Sequence, residues 1–136
     1  MQKYLSFLVL CFFVGCTSFF PGKTSIHWID GIWTGVGYQL DINETWKIEF
    51  HADSQRDFFI IRYPDLNCHG TWTLTSSDGY SFSFTEKIEK GEHECADGGS
   101  VVITRVDENH SSFSYFRKDG MLDSFSTLER KRVTGQ

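Results

Sequence analysis

Thr45-Trp46-Lys47-Ile48-Glu49-Phe50-His51 carries the clearest structural signal in the chain. Trp46, Ile48 and Phe50 alternate with Thr45, Lys47, Glu49 and His51, and successive side chains of an extended chain point to opposite sides. A helix, turning about 100° per residue, would set Ile48 almost opposite Trp46 and Phe50. The stretch therefore reads as a β-strand with one dry and one wet face, as in an antiparallel sheet packed on one side.

The same period extends in both directions. Short aromatic and β-branched runs predict strands at approximately 31–40, 44–51, 57–63, 69–76, 79–88, 100–106, 111–117 and 122–131. Between them lie turn-forming groups such as Asp41-Ile42-Asn43, Ser77-Asp78-Gly79, Asp97-Gly98-Gly99 and Lys118-Asp119-Gly120. In the fifth run Tyr80, Phe82, Phe84 and Ile88 oppose Ser81, Ser83, Thr85 and Lys87. Phe58-Phe59-Ile60-Ile61 is apolar on both faces, so the third strand is expected to lie centrally or to be covered from outside. Eight strands with short connections favour a meander, and closure removes its edges. The expected architecture is all-β, an antiparallel eight-stranded up-and-down barrel, with a two-sheet sandwich as the alternative.

Gly31-Ile32-Trp33 on the first strand and Arg130 on the last are similar to the Gly-x-Trp and late-strand Arg of lipocalin-like, or calycin, barrels. That resemblance implies that Arg130 packs over Trp33 and shuts one end. The middle of the domain, Tyr63 to Gly70 with Glu86-Lys87-Ile88 and Cys95 to Gly99, resembles a small extracytoplasmic bacterial domain, which implies the fold and supplies no mechanism.

The front of the chain differs in kind. Leu5 to Gly15 is nearly all apolar, follows Lys3, and is broken soon afterwards by Thr17, Ser18 and Pro21. It is shorter than the roughly 20 residues a membrane-crossing helix needs and has the parts of a secretory signal. Phe13-Val14-Gly15-Cys16 resembles the bacterial lipobox, with Phe13 where Leu is usual. The resemblance implies lipidation of Cys16 and cleavage just before it, and Thr17 resembles outer-membrane cargo. The chain then divides into a signal (1–15), a tether (16–30) and a barrel (31–132), anchored in a bacterial cell envelope, at the outer membrane if the source has one. Within the tether, Phe19, Phe20 and Trp28 are expected to plug one end of the domain or to meet lipid.

About 120 residues remain after cleavage, enough for one core. The formal net charge of the whole chain is −5, one unit more negative without Lys3, and Arg130-Lys131-Arg132 is the one basic cluster. Such a chain is a poor nucleic-acid binder, because affinity there comes from neutralising phosphates.

With Cys11 in the signal and Cys16 carrying lipid, Cys68 and Cys95 remain as a pair, which suggests a disulfide in an oxidising compartment. Closing that loop is worth roughly 3 kcal/mol in the chain-entropy model. The competing reading is a zinc site of Cys68-His69 with His93-Glu94-Cys95, disfavoured because adjacent strand residues face apart.

Glu86 shares the dry face with Phe82 and Phe84. A carboxylate there is paired, protonated or aimed at a ligand. The plain structural reading is an ion pair with Arg62 or Arg117, or a position at the wet mouth of the barrel; the ligand reading makes Glu86, Phe82 and Phe84 the lining of a pocket. The five histidines are scattered, and no nucleophile elbow, phosphate loop or complete dinucleotide fingerprint is present, so no catalytic residue, metal or cofactor is assigned. The sequence thus points to a non-enzymatic lipoprotein that meets the membrane through Cys16 and binds a small apolar ligand or an envelope protein. The alternative resembles small bacterial metalloprotease inhibitors, with residues 17–30 as the inhibitory trunk.

Overall fold

Eight strands, β1 (Gly31–Gln39), β2 (Glu44–Asp53), β3 (Phe58–Tyr63), β4 (Cys68–Ser77), β5 (Ser81–Lys90), β6 (Ser100–Arg105), β7 (His110–Phe116) and β8 (Leu122–Arg130), follow one another round a closed barrel. The structure is a computed structural model that describes residues 26–132. Cys16, the signal and most of the tether lie outside the described residues. Every neighbouring pair is antiparallel, and closure comes from β1 against β8, with Trp33 opposite Arg130 and Tyr38 opposite Phe125. The sandwich alternative is excluded, because the sheet has no edge.

Alternation fills the inside. Trp46, Ile48, Phe50 and Ala52 on β2 and Phe82, Phe84, Glu86 and Ile88 on β5 are buried, with exposed or half-buried residues between them. An eight-stranded barrel is just wide enough for its own side chains to fill, and here aromatic rings do so. Trp72 lies 4.4 Å from Phe50, 5.4 Å from Phe84 and 6.0 Å from Phe113, centroid to centroid. At Gly70, next to a shift in the β4–β5 register, a Cβ would fall 2.0 Å from the Lys87 carbonyl oxygen. Only glycine permits that approach.

Two expectations need correcting. A closed barrel has no central strand, and on the outer face of β3 Phe58 is 48% exposed and Ile60 half-buried among the described residues, without a cover. Tyr80, counted as inward, is exposed in the β4–β5 turn.

One end of the barrel is shut. Ile26–Ile29 forms a single 3-10 turn whose Trp28 packs against Phe82 and Trp33 and donates its indole N–H to the Gly79 carbonyl at 2.9 Å. Trp33 Nε1 donates to the Ile29 carbonyl at 2.7 Å. The Arg130 guanidinium sits 4.2 Å from the Trp33 ring and donates to the carbonyls of Trp28, Asp30 and Glu108. The last residues of the tether are thus part of the barrel. Residues 26–30 of the expected inhibitory trunk belong to this plug, and residues 17–25 lie outside the described residues.

Candidate ligand site at the open mouth

The opposite end is built from the end of β1, the start of β2, the end of β3, the loop after β5, the end of β7 and the start of β8. Here the aromatic packing stops short of the rim and leaves a cavity of about 110 Å³. Trp46, Tyr63, Glu86, Glu94, Tyr115 and Asp123 contribute to its wall. The Cys68–Cys95 disulfide ties the β5–β6 loop to the start of β4, so Cys95 and Ala96 form part of the mouth. Bonding between these two cysteines replaces the zinc alternative.

Glu86 is placed at the floor of the cavity by strand parity. It follows Phe82 and Phe84 on the inner face, and is 2% exposed. Two neutral donors converge on one oxygen: Tyr63 Oη donates to Oε2 at 2.6 Å and Trp72 Nε1 to the same atom at 2.7 Å. Trp72 stands directly across the β4–β5 ladder. The described residues place no donor on Oε1 and no cation beside the carboxylate. The expected ion pair is therefore absent. Arg62 pairs with Glu49 at 3.6 Å on the outer wall, while Arg117 lies 3.7 Å from Asp41 and 3.9 Å from Asp123 at the rim.

Burial dominates the electrostatics. It pushes the Glu86 carboxyl up to about 7, against the lowering effect of the two hydrogen bonds and with a small contribution from Asp97. Burial first, then the Glu86 charge, raises the Tyr63 phenol well above its ordinary value and pushes Tyr115 up to about 12, opposed by a bond from the Gly99 backbone. Asp123 is raised by burial and by neighbouring Asp41, with Arg117 opposing. Gly99 is needed beside Tyr115, since a Cβ there would lie 2.3 Å from the phenol oxygen. The pocket therefore holds a carboxyl poised between its two protonation states near neutral pH.

Of the residues expected to line a pocket, Glu86 does. Phe84 is buried against Phe50, Phe59 and Trp72, and Phe82 packs beneath the plug; neither reaches the cavity. The barrel interior is occupied by the chain's own rings, so the available site lies at the mouth and is more polar than expected. Tyr63, Trp72 and Tyr115 were not singled out in the sequence. Tyr63 is legible as inward by its parity with Phe59 and Ile61, but its meeting with Glu86 depends on the curvature that brings β3 over β5.

No family model and no curated protein sequence matches the chain. Among solved structures it is similar to a redesigned β-barrel, with a TM-score of 0.59 and 12% identity over 82% of this chain and 98% of that one. It is also similar to the redesigned β-barrel mFAP1 bound to DFHBI, with a TM-score of 0.57 and 14% identity over 79% of this chain and 99% of that one. These likenesses are of fold, and they show an all-β closed barrel of eight antiparallel strands.

Proposed function

We propose that the protein is a non-enzymatic binding barrel of the bacterial envelope, anchored by lipid on Cys16, whose ligand site is the mouth cavity floored by Glu86. The observation that supports the binding reading is a carboxyl, 2% exposed and held through one oxygen by Tyr63 and Trp72, in a residue that lines the cavity. The mFAP1 barrel, of the same architecture, is bound to DFHBI, which supports a small-ligand role for such a scaffold.

Size and polarity refine the expected ligand. Pockets for drug-sized molecules measure roughly 300–1,000 Å³, whereas this cavity of about 110 Å³ has room for a handful of heavy atoms. A small polar molecule, or one end of a larger one, fits better than a buried apolar ligand. The anchor reading rests on Phe13-Val14-Gly15-Cys16. The described chain enters the barrel at the plugged end.

Native mass spectrometry of the detergent-extracted full chain tests both parts. A mature chain beginning at acylated Cys16, with a small non-covalent adduct that is lost in Glu86→Gln, is expected. An unmodified N-terminal thiol overturns the anchor, and an adduct retained equally by Glu86→Gln overturns the site.

A further inference from the structure

We propose that the mouth cavity binds a small organic cation, an ammonium group of about the size of trimethylammonium, with Glu86 Oε1 as its counter-charge. This rests on the reading of the mouth as the ligand site and narrows it to one chemical class.

The composition of the wall is one-sided. Its formally charged members are Glu86, Glu94 and Asp123, and no lysine, arginine or histidine among the described residues lines it. Arg117, at the rim, is shared between Asp41, Asp119 and Asp123, and Lys118 lies against Gly98 of the β5–β6 loop. An anionic ligand would meet carboxylates on several sides and no donor cation. The uncharged part of the wall includes Trp46, Tyr63 and Tyr115, and aromatic rings with carboxylates are the surfaces that recognise ammonium groups, through the negative faces of the rings and through charge. The cavity, at about 110 Å³, holds a group of a few heavy atoms.

Glu86 supplies an independent reason. An ionised carboxylate taken out of water without a cationic partner is costly, and a partner removes much of that penalty. The residue is 2% exposed, both of its protein donors sit on Oε2, and it lines the cavity, so Oε1 is the oxygen at which an ammonium group forms the charge pair. Proton and ligand then compete for one site. The groups facing it are Tyr63 from β3, Glu94 and Asp97 from the β5–β6 loop, Tyr115 from β7 and Asp123 from β8 with Arg117 beyond it. The phenols do not ionise near neutrality, so Glu86 governs the pH dependence between about 6 and 8.

The test uses the full chain in detergent, with choline and its uncharged isostere 3,3-dimethyl-1-butanol as probes, followed by calorimetry and tryptophan fluorescence at pH 6 and pH 8. Choline is expected to bind at least tenfold more tightly than the alcohol. Its affinity is expected to rise about tenfold from pH 6 to pH 8, following ionisation of a carboxyl titrating at about 7. Glu86→Gln should abolish the preference, and Glu94→Gln, on the exposed loop, should weaken choline severalfold while leaving the fold untouched. Equal affinities for choline and the alcohol overturn the cation and leave the ligand site standing. Failure of both probes to bind the folded wild type at millimolar concentration overturns the cation and the site together. A pH-independent choline affinity overturns the role of Glu86.

Discussion

Replacing Glu86 by Gln should stabilise the protein at alkaline pH and do little at acid pH. The folded carboxyl titrates at about 7 against an ordinary value of 4.5, so the folded state holds a proton that the unfolded chain has already released between those limits. Stability contributed by this group is complete below about pH 4.5 and falls as pH rises through about 7. Each unit of difference corresponds to about 1.36 kcal/mol, so full ionisation removes on the order of 3 kcal/mol. The amide is neutral throughout, its oxygen can accept from both Tyr63 and Trp72, and its NH2 replaces the donor-free Oε1 on the cavity side. Urea denaturation of both proteins at pH 5 and pH 8 isolates the effect, because every other titrating group cancels in the difference. An advantage for the variant of about 1 kcal/mol at pH 5, growing to about 3 kcal/mol at pH 8, is expected. A variant less stable by the same amount at both values would refute the reasoning, because the carboxylate would then be a satisfied structural charge.

Arg130→Ala removes the cation over Trp33 and strands the carbonyls of Trp28, Asp30 and Glu108; a loss of about 2–4 kcal/mol in chemical denaturation is expected, and a loss below about 0.5 kcal/mol contradicts the plug. Replacing Cys68 and Cys95 together by Ala removes the disulfide and should lower stability by roughly 3 kcal/mol. In that double variant, amide exchange should quicken in residues 91–98 before it quickens in the barrel strands, and uniform loosening would count against a local tie.

The strands were legible because each carries its own evidence: Trp46, Ile48 and Phe50 declare a face whatever they pack against, and the same parity placed Glu86 inward. What was not legible depends on closure and volume. Phe82 and Phe84 read equally well as pocket lining or as core, and only the diameter of an eight-stranded barrel, already filled by Phe50, Trp72 and Phe113, decides for core. Arg62 and Arg117 lie close to inward positions in sequence, yet each finds a carboxylate on the outer wall or rim. Trp28 shows no period with its neighbours, because what holds it is Arg130 across 102 positions of sequence. Glu86 and Tyr63 lie on strands that are not adjacent in the sheet, so their contact follows from curvature and not from pairing.

Glu86 is proposed to be a titrating carboxyl open to a ligand. Carbon-13 NMR of the Glu86 side-chain carboxyl, titrated across pH 4 to 9 with and without choline, tests it directly. A midpoint near 7 that shifts downward when choline is added is expected, because the cation favours the ionised form. A midpoint in the ordinary glutamate range, or one near 7 that choline leaves unmoved, would contradict it.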